Sequence, residues 1–97
     1  MITRIVKMKF QQEKVQDFKT LFKAQHLKIK SFPGCQKVVL YQDLHEREIF
    51  FTYSHWDSER ALNDYRSSEL FKSIWKSTKA LFSEPANAWS LDEIKVD

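Results

Sequence analysis

The sequence predicts a small α+β fold with the element order β-α-β-β-α-β. Three observations lead to this prediction: residues 2–10 alternate between apolar and polar side chains, residues 13–30 repeat apolar side chains at helical spacing, and residues 35–56 form two strand-like segments around a polar turn. A second helical pattern and a last strand-like segment follow. The 97 residues suffice for one small core, so surface buried against a partner subunit would add to stability.

The first strand is predicted over Ile2–Phe10, where most apolar residues share one face and Ile5 lies on the other. The first helix is predicted over residues 13–30, and its apolar stripe also carries a histidine. The stripe consists of Val15, Phe18, Phe22, His26 and Ile29. Pro33 and Gly34 end this helix, because proline cannot continue it and glycine tolerates the left-handed geometry of a reversal.

The middle of the chain predicts an antiparallel hairpin. Strands are expected over residues 35–42 and 47–56, because both are rich in aromatic and β-branched residues. The polar residues between them, Asp43 to Glu46, predict the turn.

The second helical region carries two apolar stripes that point in different directions. The first consists of Ala61, Leu62 and Tyr65, and the second of Phe71, Ile74, Trp75, Thr78 and Phe82. One straight helix cannot bury both, so we expect a cap at Asp57 or Ser58 and a break at Ser67-Ser68. The second helix is then predicted to end before Pro85, and residues 88–96 to form the last strand.

Composition excludes several classes of protein. A hydrophobic fraction of 42% with one glycine and two prolines excludes a disordered chain. Cys35 is the only cysteine, so we expect no disulfide, no cysteine-based metal site and a reducing cytoplasm. No apolar run reaches the length of a membrane span or a signal peptide, so no membrane association is expected. The net charge of +3 arises from scattered lysines, which is typical of a solvated helix face.

The predicted order is that of the ferredoxin-like split βαβ arrangement, in which both helical regions cover one face of a four-stranded antiparallel sheet. The other face would carry half of the alternating residues of every strand. Because a small protein seldom exposes a large apolar surface, we expect a homodimer that buries this face against its copy.

Four segments carry a more specific pattern. They are Phe32-Pro33-Gly34-Cys35, the strand end from Tyr53 to Ser58, the helical segment from Ala61 to Phe71, and Trp89-Ser90. Together they resemble the antibiotic biosynthesis monooxygenase (ABM) family, whose members form dimeric α+β barrels. The resemblance implies one ABM-like domain over residues 1–97. It also implies a cofactor-independent monooxygenase that acts on a small aromatic substrate similar to a quinol or an anthrone, with no metal.

The same family includes haem-degrading members, and the chain departs from their pattern. The resemblance would require an Asn on strand one, a Trp after the helix cap and a His as iron ligand. Strand one has no Asn, the aromatic position is Tyr65, and the ligand position falls on Trp75, whose indole N–H cannot bind iron. Many quinol-type members have His at the position of Tyr65. Haem degradation is therefore disfavoured, and a non-catalytic ligand-binding or structural homodimer stays open as the alternative.

Cofactor-free oxygenation requires an apolar pocket, a group that takes or shares a proton, and dry surroundings. The candidate catalytic residues are His26, His55 and Tyr65. The candidate substrate-binding residues are Arg4, Phe22, Tyr53, Trp56, Phe71 and Trp75.

Each candidate also has a structural interpretation. His26 on an apolar stripe is either a base or a packed, hydrogen-bonded residue. His55 and Trp56 lie on opposite faces of strand three, and the sequence leaves open which of them faces the helices. Trp75 at helical spacing is typical of a core residue. Arg4 either balances a phenolate or pairs with a carboxylate across the sheet.

The element order is also that of RNA-recognition motifs, but the residues disfavour nucleic-acid binding. Such motifs need glycine-flanked aromatics on strand three and an aromatic within strand one. Residues 47–53 contain no glycine, and strand one has only Phe10 at its end. The resemblance to the ABM family implies a small aromatic ligand as the partner besides the second subunit.

Overall fold

The computed structural model describes residues 1–96, and the elements follow the predicted order. They are β1 (Ile2–Phe10), a 3₁₀ turn (Gln12–Lys14), α1 (Val15–Lys30), β2 (Cys35–Gln42), β3 (Ile49–Trp56), α2 (Glu59–Arg66), α3 (Glu69–Lys79) and β4 (Phe82–Asp92). The strands form one antiparallel sheet in the order β2-β3-β1-β4. The predicted ferredoxin-like α+β fold is therefore confirmed. Asp97, the last residue of the predicted domain, lies outside the described residues.

The predicted turns and caps form where the sequence places them. Gly34 has a φ of 89°, and its carbonyl oxygen accepts a hydrogen bond of 2.8 Å from the Asp57 N–H. A Cβ on Gly34 would overlap the Cβ of Ala61, so this position requires glycine for space as well as for geometry. Asp43 closes the hairpin turn, because its Oδ1 accepts the N–H groups of His45 and Glu46 at 2.9 and 2.8 Å.

The predicted break between the second pair of helices is present. Ser58 caps α2 by accepting the Ala61 N–H at 3.1 Å, and Ser68 caps α3 by accepting the Phe71 N–H at 3.1 Å. The hydroxyl of Ser68 also donates to the Tyr65 carbonyl oxygen at 2.5 Å. One serine therefore ends α2 and starts α3, and this reorients the second apolar stripe.

The helix ends before Pro85 as predicted, at Lys79, but the prediction that Phe82 belongs to its stripe was wrong. The bounds predicted for the last strand were also wrong, because β4 spans Phe82–Asp92 rather than residues 88–96. Phe82 pairs with Phe10 across the sheet, with ring centroids 5.3 Å apart, so pairing with β1 outweighs the helical spacing. Pro85 is tolerated because β4 is an edge strand, and the register of its pairing with β1 shifts nearby, between Lys7 and Phe10.

The helices pack on the face of the sheet that carries the even-numbered residues of β1 and β3. Two buried clusters lie there. One contains Met8, Phe10, Phe18 and Phe50, and the other contains Trp56, Leu62 and Tyr65. The odd-numbered residues face away from the helices. Within residues 1–96, the helices all fall short of the length and apolarity needed to span a membrane.

Candidate functional site

A cavity of about 290 Å³ lies between the helices and the sheet. The sheet leaves this space because several of its helix-facing side chains on β3 and β4 are small. Phe50 is followed on the same face by Thr52 and Ser54, and the helix-facing residues Ala86 and Ala88 both line the cavity. The volume is close to the lower end of the range, about 300 to 1,000 Å³, that is typical of small-molecule sites.

Aromatic side chains from the helices and from the end of β3 form much of the remaining wall. The rings of Phe71 and Trp75 stack with centroids 5.7 Å apart and planes inclined by 13°. Trp56 and Tyr65 stack at 4.9 Å with planes inclined by 25°. All four line the cavity together with Phe22 from α1. Flat rings at such angles favour a planar apolar ligand, which can stack or pack edge to face on them.

The cationic end of the cavity is formed by Arg4 and Arg66. Arg4 lies on the helix-facing side of β1, where its cross-strand neighbours on the same face are Ser54 and Ser90. One terminal nitrogen of its guanidinium donates to the Ser90 Oγ at 2.9 Å. Arg66 is the last residue of α2 and lines the same cavity. Burial lowers the pKa of Arg4, and the charge of Arg66 lowers it further.

Tyr65 is the candidate hydrogen-bond donor of the cavity. It is 8% exposed, and burial raises the pKa of its phenol well above the usual value of about 10. Within residues 1–96, its hydroxyl makes no hydrogen bond to protein, and no buried side-chain polar atom lacks a partner. The hydroxyl is therefore not fully enclosed, and because it stays protonated it is a hydrogen-bond donor that cannot act as a base near neutral pH.

The structure brings six of the nine predicted site residues together. The six that line the cavity are Arg4, Phe22, Trp56, Tyr65, Phe71 and Trp75. Trp56 rather than His55 faces the helices, which answers the question that the sequence left open.

Three predicted site residues lie elsewhere. His26 is half-buried on α1, and its Nε2 donates to the Val38 carbonyl oxygen at 3.0 Å, so it is a packed, hydrogen-bonded residue. His55 and Tyr53 face the opposite side of the sheet, where their rings are 4.9 Å apart. The His55 Nδ1 is also 3.2 Å from the sulfur of Met1. Neither histidine lines the cavity.

Sequence reasoning missed several lining residues. Arg66 is the most important of them, because it carries charge, and its position beside Tyr65 at the end of a helix was the available signal. Thr52, Ser54 and Ala88 were missed because they shape the cavity by being small. Their signal was the run of small residues at alternate strand positions, which face the helices together.

The aromatic-lined cavity between the helices and the sheet of this ferredoxin-like α+β fold has the size and lining that are typical of a small-molecule site. The chain belongs to the antibiotic biosynthesis monooxygenase family, whose pattern matches residues 1–77. No curated protein sequence is similar enough to the chain to give a match.

Solved structures share the fold over nearly the whole chain. A conserved protein from Methanosarcina mazei Go1 is 25% identical, with a TM-score of 0.90 over 97% of this chain and 94% of that one. A crystal structure described as an antibiotic biosynthesis monooxygenase is 18% identical, with a TM-score of 0.91 over 98% and 100% of the two chains. A putative antibiotic biosynthesis monooxygenase from Nitrosomonas europaea is 15% identical, with a TM-score of 0.89 over 98% and 100%.

Proposed function

We propose that the chain is a cofactor-independent monooxygenase that acts on a small aromatic substrate of the quinol or anthrone type. The observation that carries the proposal is the aromatic-lined cavity of about 290 Å³ between helices and sheet. Membership of the ABM family supports it. A site of this size and lining accepts a flat substrate and excludes water from the reacting carbon.

In the proposed reaction the substrate supplies every electron that oxygen accepts. An anthrone-type substrate loses one proton to solvent and becomes an enolate, whose carbanionic carbon bonds to O₂ to give a peroxide anion. Protonation yields a hydroperoxide on a carbon that still carries one hydrogen. Loss of that hydrogen and of the terminal hydroxyl as water leaves a carbonyl. One oxygen atom enters the product and the other leaves as water, so no external reductant is needed.

The residues that line the cavity have different roles in the proposed reaction. Phe22, Phe71 and Trp75 hold the ring system of the substrate. Tyr65 donates a hydrogen bond to a substrate oxygen, since its phenol stays protonated near neutral pH. Arg4 balances the negative charge that develops when the substrate loses its proton.

A non-catalytic ligand-binding protein is the second candidate. The observation that favours it is the position of His26 and His55, because both lie outside the cavity and neither can take a proton from a ligand there. A protein of this kind would bind the same aromatic molecules without consuming oxygen.

We further propose that the chain forms a homodimer through the open face of its sheet. That face carries apolar residues from all four strands, among them Ile5, Val39, Phe51, Tyr53 and Trp89, and these pair across the strands. Trp89 is 45% exposed and Tyr41 is 53% exposed. Large apolar side chains exposed together on one face are typical of a subunit interface.

Oxygen uptake in the presence of a panel of anthrones and quinols tests the catalytic proposal. We expect uptake above the buffer blank with at least one compound. Ala88→Phe should reduce it at least tenfold, because Ala88 lines the cavity and a phenyl ring would occupy it. Ala24→Phe, on the exposed side of α1, is the matched control and should leave the rate unchanged.

Binding without any oxygen uptake would reject the oxygenase and support the ligand-binding candidate. No binding of any aromatic compound would reject both. Circular dichroism of each variant separates loss of the cavity from loss of the fold.

A further inference from the structure

A row of three polar side chains crosses the helix-facing side of the sheet. Arg4 on β1 lies between Ser54 on β3 and Ser90 on β4. The guanidinium of Arg4 donates to the Ser90 Oγ at 2.9 Å, and Ser90 is exposed. Ser54 lies at the other end of the row, is 8% exposed and lines the cavity. The row therefore ends in a buried hydroxyl group beside the space for a ligand.

Trp56 determines how the Ser54 hydroxyl can be used. The Trp56 Nε1 lies 3.0 Å from the Ser54 Oγ, and an indole N–H is a donor only. The Ser54 oxygen is therefore the acceptor in this contact, and the hydrogen of its hydroxyl is directed elsewhere. Accepting this hydrogen bond also makes the hydroxyl a stronger donor, because linked hydrogen bonds polarise one another.

The acceptor that the protein offers to this hydroxyl is poorly placed. Among the described residues, the hydroxyl donates to the Arg4 carbonyl oxygen at 3.5 Å. Hydrogen bonds between two oxygens are usually about 2.5 to 3.0 Å long, so this contact is weak. A buried hydroxyl without a good acceptor raises the free energy of the folded protein, and an acceptor atom of a ligand in the cavity would remove that cost.

We propose that Ser54 is a specificity-determining residue of the cavity, and that its hydroxyl donates a hydrogen bond to a neutral carbonyl oxygen on a ring ligand. A carbonyl oxygen only accepts, which complements the free hydrogen of Ser54. A ligand with a C–H group in that place would leave the buried hydroxyl unpaired, and the site would bind it less tightly. The assignment rests on the proposed use of the cavity for aromatic ligands. It adds a donor on the sheet to the Tyr65 phenol on α2.

Fluorenone and fluorene test this assignment, because they share one flat ring system and differ in a single group. Fluorenone carries a ring carbonyl where fluorene carries a CH₂, and neither compound is charged. We expect the wild type to bind fluorenone about fivefold more tightly than fluorene, which is the effect of one hydrogen bond between neutral groups. Equilibrium dialysis measures both affinities.

Variants at position 54 locate the effect. Ser54→Ala should reduce the preference for fluorenone about threefold and leave the affinity for fluorene within about twofold of wild type. Ser54→Thr retains a hydroxyl and should retain the preference. Ser83→Ala is the matched control, and it should also retain the preference. Ser83 lies on a strand, and its hydroxyl makes a similarly long contact of 3.4 Å to the Lys9 carbonyl oxygen, but it is exposed and outside the cavity.

The indole N–H signal of Trp56 provides a second measurement that needs no variant at Ser54. Because the Trp56 N–H donates to the Ser54 Oγ, a Ser54 hydroxyl that donates to a ligand should strengthen that hydrogen bond. We expect the Trp56 indole proton to resonate at higher frequency with fluorenone bound than with fluorene bound. The C=O stretching band of bound fluorenone should lie at a lower wavenumber in wild type than in Ser54→Ala.

The possible results separate the role of Ser54 from the function of the cavity. Equal affinity of the wild type for fluorenone and fluorene, or the same Trp56 signal with both, would overturn the role of Ser54 and leave the cavity as an aromatic site. Equal weakening of both ligands in Ser54→Ala would also overturn it, because Ser54 would then act only by holding the Trp56 ring. Binding of neither compound would overturn the proposed function as well.

Discussion

Tyr65 is enclosed by three aromatic neighbours while its hydroxyl stays accessible. It stacks on Trp56 and packs edge to face against Phe32 and Phe71, with centroids 4.9 to 5.3 Å away. The enclosure raises the pKa of the phenol, and the charge of an ionised Cys35 thiol would raise it further. A tyrosine in this environment provides a hydrogen-bond donor over the whole physiological pH range.

The raised pKa makes stability depend on pH in a predictable direction. Below about pH 10 the phenol is protonated in both states, so its contribution to stability is complete. At higher pH the unfolded chain ionises first and gains free energy, and stability falls by up to about 1.4 kcal/mol per pH unit. Urea unfolding at pH 8 and pH 11 should show a smaller loss for Tyr65→Phe than for wild type. Equal losses of stability in wild type and Tyr65→Phe would show that burial does not raise the pKa of the Tyr65 phenol.

The two serines between α2 and α3 provide a test variant and a matched control for the cap of α3. Ser68→Ala removes the cap of α3 and the hydrogen bond to the Tyr65 carbonyl, so we expect a loss of about 1 to 2 kcal/mol in the free energy of unfolding. Ser67→Ala removes a side chain that makes no such bonds and should cost less than about 0.5 kcal/mol. Denaturant unfolding at pH 7 measures both, and equal losses would contradict the assigned cap.

The elements were predictable from sequence where local pattern and tertiary packing agree. The alternation of β1, the Pro33-Gly34 turn and the change of stripe at Ser67-Ser68 all specify their structure locally. The start of β4 is not specified by local sequence, because Phe82 fits the helical spacing of α3 equally well. Phe82 belongs to β4 because it pairs with Phe10, which is 72 residues away in the chain. Local periodicity contains no information about that contact.

The site was only partly predictable because a cavity is space left by several segments. The aromatic wall from Tyr65 to Trp75 could be inferred from helical spacing and family resemblance. The side of the sheet that His55 faces could not be inferred. Alternation places His55 and Trp56 on opposite sides of β3 but does not say which side carries the helices. The small residues Thr52 and Ala88 gave no signal of their own, because they matter only when strands β3 and β4 come together beneath the helices.

If the chain forms the proposed homodimer, one negative charge on the open sheet face should dissociate it. Tyr53 lies at the centre of that face, between Ile5 and Val39 on the neighbouring strands. Tyr53→Asp would bury a carboxylate among apolar groups in the dimer, so we expect a monomer at 10 μM by analytical ultracentrifugation. Leu27→Asp changes an exposed apolar residue on α1 and should remain a dimer. A monomeric wild type would contradict the proposed interface.

Aromatic ligands are expected to bind between the helices and the sheet, and the three tryptophans can report on this binding. Trp56 and Trp75 line the cavity, whereas Trp89 lies on the opposite face of the sheet. We would titrate ¹⁵N-labelled protein with 4-nitrophenol and follow the three indole N–H signals. We expect the signals of Trp56 and Trp75 to shift with saturation while that of Trp89 stays in place. A shift confined to Trp89, or no shift at any concentration, would contradict it.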